Sequence, residues 1–326
     1  MKGLTLAEKY YYEIGRPMLE TQFPEFLPRI AAGLMGDGSE CLRFDDDISQ
    51  DHDFGPGFCL WLDSEDFQKI GVRMQEAYQR LPKLFHGFPA RNTTAYGSDR
   101  IGVIEIHEFF SRYIGAELPP HSLFRWLTLP EEKLAALTAG KIFEDPSGKF
   151  TQLQNALHYY PEDVRLKKIA ASAMRMAQSG QYNYARCMQR GDTVAADFAL
   201  TEFVKAAITI THQLNRCYTP YYKWMYRSLQ DLPVLNTISV LIQELSEMPL
   251  QKAAWSSNTV SRFHNSAPNL SDKKVQLIEE ICKLIIEELE HQSLITKTDT
   301  YLGSYPLQII QKITDSELKS LHILIG

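Results

Sequence analysis

The sequence predicts an α+β protein: a mixed α/β region over about the first 120 residues, then a mainly helical region to the end. Two observations carry that expectation. Short apolar or β-branched runs alternate with helical stretches early in the chain, and long 3.6-residue apolar stripes dominate from about residue 130 onward. The length of 326 residues suits two ordinary domains, each able to bury a core.

Element by element, Leu4 to Gln22 has helical spacing and is closed by Pro24. Ala31 to Met35 (AAGLM) is a short apolar run that fits a buried strand, and Gly57 to Leu62 (GFCLWL) is a second one. Ser64, with Glu65 and Asp66 behind it, starts a helix whose inner face is Phe67, Ile70, Met74, Tyr78 and Leu81. Ile101, Val103, Ile104 and Ile106 predict a further strand running into a short helix. From PEEKLAALTAG onward the expectation is helix: Pro161–Gln178, Asp192–Cys217, Pro220–Gln230 and Asp272–Gln292. The boundary is placed at the double proline Pro119-Pro120, giving domains 1–120 and 121–326, with a possible subdivision in the Ser/Asn-rich joint at 256–271.

Composition excludes more than it names. With 34 basic against 40 acidic side chains the net charge is −6, and no basic stripe speaks for a nucleic-acid partner. The five cysteines (Cys41, Cys59, Cys187, Cys217, Cys282) are scattered and never form C-x-x-C, so neither a disulfide framework nor a zinc site is indicated. They read as reduced thiols of a cytoplasmic protein. No stretch approaches the roughly 18 apolar residues of a membrane span, so no membrane partner is expected.

The stretch that carries chemistry is Gly36–Phe58, GDGSECLRFDDDISQDHDFGPGF. Asp51 and Asp53 are one residue apart, so in a strand both would project from one face, about 7 Å apart, and converge on metal. Such a pair suits Mg²⁺ or Mn²⁺, which combines carboxylates with substrate phosphates. Gly38 lets backbone N–H groups approach a triphosphate, and the hydroxyl of Ser39 can bond a phosphate oxygen. Glu105, between Ile104 and Ile106, is the candidate third carboxylate, for metal binding and for taking a proton from an acceptor hydroxyl. The plain alternative for Asp51 and Asp53 is a solvated acidic turn, and for Glu105 a water-facing strand residue. Asp45, Asp46 and Asp47 fit a capped turn. An EF-hand fails, because the sixth position from Asp45 is Gln50, and His107-Glu108 is no zinc-protease motif, because position 111 is Ser.

Gly-Ser, a spacer and Asp-x-Asp resemble the signature of the nucleotidyltransferase superfamily. The wider set FDDDISQDHDFGPGF, LTAGKIFEDPSGKF, LHYYPEDVRL and PYYKWMYRSL resembles the nucleotidyltransferase-like family of unknown function DUF4037, over roughly residues 20 to 232. The resemblance implies a nucleotidyltransferase-fold mixed sheet with flanking helices, then a helical domain. It implies phosphate-loop roles for Gly38 and Ser39, metal roles for Asp51 and Asp53, and places Tyr222 and Lys223 where helical-domain residues reach the nucleotide. Arg43 departs from the small residue expected in the spacer. The function so implied is Mg²⁺-dependent transfer of a nucleoside monophosphate from an NTP to an unidentified small-molecule or protein acceptor. A non-catalytic nucleotide-binding module that keeps the fold is the alternative.

Overall fold

The computed structural model describes residues 1–51, 53–91, 100–255 and 268–326. Most of the Ser/Asn-rich joint, 256–267, and the middle residue of the Asp-x-Asp triplet, His52, therefore lie outside the described residues. The chain divides into two compact units, Met1–His121 with Leu129–Tyr159, and Ser122–Thr128 with Tyr160–Gly326.

The first unit begins with α1 (Gly3–Tyr10), a π-helical turn (Tyr11–Gly15) and α2 (Arg16–Gln22), one helical run where the periodicity predicts it. Strand β1 (Ala31–Met35) follows, then the four-residue α3 (Ser39–Leu42). Strand β2 (Cys59–Leu62) leads into α4 (Ser64–Gln79), whose first turn is capped by Asp63 accepting from the Asp66 N–H. A small hairpin, β3 (Leu84–Phe85) and β4 (Phe88–Pro89), precedes β5 (Gly102–Glu105) and α5 (Ile106–Ile114). After α6 (Leu123–Thr128), which clusters with the second unit, come α7 (Glu131–Thr138), β6 (Gly140–Glu144) and α8 (Lys149–Ala156).

The sheet order is β5-β2-β1-β6, with β1 antiparallel to both β2 and β6 and β2 parallel to β5. Both faces of its centre are buried, so the middle strands are apolar throughout instead of alternating with polar residues. Ala32, Leu60 and Leu62 pack with Leu6, Tyr10, Leu19, Ile70 and Met74 from the first helices and α4. Trp61 points the opposite way, as strand alternation requires, and stacks on Phe150 of α8 with ring centroids 4.0 Å apart. Gly33 permits this: a Cβ there would stand 2.9 Å from the Trp61 ring and 2.5 Å from the Lys141 carbonyl.

Two expectations change here. Residues 140–144 form an edge strand, where the sequence reads as helical beyond residue 130, and this strand takes the first unit past residue 120. The physical reason is that a one-sided edge strand needs no apolar run: Lys141 pairs with Glu8 and Glu144 accepts from Tyr11, while Phe143 joins the core. Asp51 and Asp53 also fall short of the strand, which starts only at Cys59.

The second unit is helical: α9 (Glu162–Met176), a π-helical stretch (Ala177–Tyr184), α10 (Ala185–Gln189), α11 (Thr193–Leu214), α12 (Met225–Gln230), α13 (Ile238–Glu247), α14 (Lys273–His291), α15 (Pro306–Gln311) and α16 (Ser316–Ser320). Helix α9 is buried on nearly every face and so stands at the centre of the unit. The α14 stripe Val275, Ile278, Cys282, Ile285 and Leu289 is buried as its spacing predicts. Asp272 caps that helix from a fully buried position, accepting from Tyr184 Oη, Trp255 Nε1 and the Lys274 N–H. Among the described residues no helix is long and apolar enough to cross a membrane.

Candidate functional site

Sheet topology decides which candidate residues meet. The loop after β1 (Gly36–Gly38), the lead into β2 and the lead into β5 all reach the same end of the sheet, because β1 runs against β2 and β5 runs with β2. Gly38 has φ 119° and ψ 149°, a conformation that only glycine adopts without strain. Ser39 begins α3 directly behind it. On the neighbouring segment Asp53 has φ 52°, in the left-handed region where aspartate is among the few non-glycine residues found.

Two arginines tie these segments together, and sequence reasoning placed neither at this site. Arg91 is buried against Glu40 of α3, Nη1 on Oε1 at 2.6 Å and Nη2 on Oε2 at 3.0 Å, and its Nη1 also donates to the Asp53 carbonyl at 2.6 Å. Burial opposes the Arg91 charge, and the Glu40 carboxylate more than restores it, so the guanidinium stays ionised. Arg100 Nη2 donates to the Asp37 carbonyl, while its Nη1 lies 3.6 Å from Asp53 Oδ2. One guanidinium thus spans the gap between the Gly-rich loop and the second aspartate. The only hints in sequence were a glutamate beside Ser39 and an arginine heading a β-branched run; their partners are 51 and 63 residues away along the chain.

Surrounding side chains hold this arrangement. The Cys59 thiol bonds the Arg100 carbonyl at 3.2 Å, and burial pushes its pKa up to about 12, so it is a tether and no nucleophile. Tyr113 Oη accepts from the Asp37 N–H at 3.3 Å, and burial raises its pKa further above the phenolic value. Asp45 is buried and accepts from the Gly3 N–H at 2.8 Å, while Asp46 accepts from Ser49 in the expected turn.

Glu105 requires a correction. It ends β5 opposite Leu62, three residues and roughly 10 Å beyond the Cys59–Gly102 pairing that lies nearest Asp53. Its carboxylate caps α5, accepting from the His107 N–H at 3.0 Å, the Glu108 N–H at 2.6 Å and Ser64 Oγ at 2.9 Å. It is a helix cap at the opposite end of the sheet, and does not complete a carboxylate triad with Asp51 and Asp53.

Among the described residues no group of three His, Cys, Asp or Glu side chains is gathered for a metal. Asp53 Oδ1 is buried and, among the described residues, has no hydrogen-bond partner. A buried carboxylate oxygen left unsatisfied is costly unless a ligand completes it. Exposed Asp51 stands two residues away in the same loop. Magnesium needs only one or two carboxylates when phosphates supply its other ligands, so this pair fits that use.

Tyr222 and Lys223 lie in the second unit, on a 3₁₀ turn, Tyr222–Trp224. Tyr222 is 71% exposed with its ring 4.4 Å from that of Tyr221, and Lys223 Nζ sits 5.1 Å from the centre of the Trp224 ring.

Residues 126–225 match the family described as Domain of unknown function (DUF4037). That stretch includes Tyr222 and Lys223 and lies wholly C-terminal to the Gly38–Asp53 segment. A crystal structure of a nucleotidyltransferase-like protein from Exiguobacterium sibiricum 255-15 is similar at 11% identity and a TM-score of 0.35, over 92% of this chain and 81% of that one. At that level no residue role transfers. No curated protein matches the chain.

Proposed function

We propose that the first unit binds a nucleoside triphosphate with Mg²⁺ or Mn²⁺ and transfers its nucleoside monophosphate to an acceptor hydroxyl. The acceptor oxygen bonds the α-phosphorus, the bond between the α-phosphorus and its bridging oxygen to the β-phosphate breaks, pyrophosphate leaves, and the hydroxyl proton passes to solvent. One observation carries the reading: the Gly-rich loop and Asp53 face each other across a single guanidinium, with an unsatisfied carboxylate oxygen beside it.

Gly38 brings backbone close to the phosphates without a Cβ in the way, Ser39 offers a hydroxyl to a phosphate oxygen, and Asp51 and Asp53 would hold the metal. When bound, the metal supplies positive charge to the phosphates as negative charge shifts toward the leaving pyrophosphate. Tyr222 and Lys223, which the second unit carries, are proposed as nucleotide-contacting residues. The acceptor is a small molecule or a protein.

A second reading, a nucleotide-binding or regulatory module without turnover, is favoured by the position of Glu105, since that residue is not available to deprotonate an acceptor at this site. The test is pyrophosphate release from each of the four NTPs with either metal, with and without pooled acceptors. Release abolished in Asp51→Ala/Asp53→Ala supports transfer. Metal-dependent binding with no release under any acceptor pool supports the module instead.

A further inference from the structure

We propose that Arg100 is a phosphate ligand of this site and gives it affinity for a triphosphate that does not depend on a divalent cation. The inference rests on the nucleotide-binding reading above and goes beyond it, because it assigns charge neutralisation to a side chain as well as to the metal.

The guanidinium occupies the place where a Gly-rich loop would meet a phosphate. A Cβ on Gly38 would lie 2.3 Å from Arg100 Nη2, so the glycine leaves open the space that the guanidinium fills. Its hydrogen-bond partner there is the Asp37 carbonyl, and its charge partners, Asp53 Oδ2 at 3.6 Å and Glu40 Oε1 at 3.9 Å, are both beyond hydrogen-bond distance. Glu40 is already matched by the bidentate Arg91, so Arg100 is not needed to neutralise it. Of the two arginines Arg91 has only 4% of its side chain exposed, while Arg100 retains 24% and can exchange its loose partners for solvent-borne ones.

A guanidinium prefers phosphate in a forked, two-bond geometry, and such bonds to a charged acceptor are worth more than the bond to the neutral Asp37 carbonyl. A triphosphate entering between Gly38 and Asp53 would take Arg100 as a ligand and free Asp53 Oδ2 from its neighbourhood. The same side chain then neutralises phosphate charge that carboxylate-bound metal alone would otherwise have to cover.

The test is calorimetric binding of ATP and AMP to the full chain, in EDTA and in Mg²⁺, for wild type, Arg100→Ala and Arg100→Lys, with melting curves to confirm folding. Wild type is expected to bind ATP measurably in EDTA. Arg100→Ala should lose roughly 10- to 100-fold for ATP under both conditions, shrinking the preference for ATP over AMP, and Arg100→Lys should recover part of it. If Arg100→Ala binds ATP as wild type does, Arg100 is a loop clip and the inference fails while the nucleotide site stands. Wild-type binding that appears only with Mg²⁺ also overturns it. If wild type binds no ATP under either condition, the nucleotide reading itself falls.

Discussion

Arg91 and Glu40 form a buried, two-pronged ion pair, at 2.6 and 3.0 Å, and through a third bond from Arg91 to the Asp53 carbonyl the pair fixes the Asp-x-Asp loop against the helix that Ser39 begins. Neither residue needs to touch a ligand to matter. Their pairing sets the distance between the two halves of the site, and it does so from the protein interior, where neither charge is easily solvated.

Glu40→Ala should therefore destabilise the first unit by about 3–5 kcal/mol, because it leaves the Arg91 charge buried and unpaired. Replacing both residues by Met should recover most of that stability yet leave the Asp53 loop untethered. Denaturant unfolding of the single and double variants reads the first effect; nucleotide affinity of the double variant, expected to be weaker than wild type, reads the second.

Asp53→Asn keeps a residue that tolerates the left-handed backbone and removes the charge. Stability should change by no more than about 1 kcal/mol, while the increment in ATP affinity that Mg²⁺ provides should disappear. Titrations with and without Mg²⁺ compare the two; an intact increment in the variant would detach the metal from Asp53.

For Glu105 the expectation is the reverse. Glu105→Ala removes the cap of α5 and should cost about 1 kcal/mol of stability, with ATP binding unchanged in Mg²⁺. A large loss of metal-dependent binding would return Glu105 to the site.

The second unit carries a pH dependence of its own. His212 is fully buried, its Nδ1–H donating to the Ile208 carbonyl at 2.9 Å, which leaves Nε2 to accept from Ser228 Oγ at 2.9 Å. Burial lowers its pKa from 6.5 to about 4. The folded state then binds fewer protons than the unfolded one between these values. Stability from the neutral ring is complete above pH 6.5, falls as pH drops toward 4, and levels off below, a total of about 3 kcal/mol. Melting temperatures from pH 7 to 4 should show that slope in wild type and a flatter one in His212→Gln.

Particular residues show how far the sequence could be read. Ala31–Met35 and Cys59–Leu62 are buried on both faces, so their unbroken apolar runs were legible, as was the α14 stripe. The edge strand at Gly140–Glu144 was not, since it is stabilised by Tyr11, Tyr12 and Lys141 contacts more than by its own apolar content. Glu105 was misplaced because periodicity locates a strand without saying which end faces which loop; parallel pairing with β2 carried it away from Asp53. Asp51 and Asp53 precede their strand because Gly55, Pro56 and Gly57 delay its start. The pairings of Arg91 and Arg100 were not legible, since their partners come from segments distant in the chain.

The most direct measurement is ATP binding together with pyrophosphate release, in Mg²⁺, by wild type and by Asp51→Ala/Asp53→Ala. The account predicts metal-enhanced binding and acceptor-dependent release in wild type, with both the metal increment and the release gone in the double variant. Wild-type protein that neither binds any of the four NTPs nor releases pyrophosphate would contradict it.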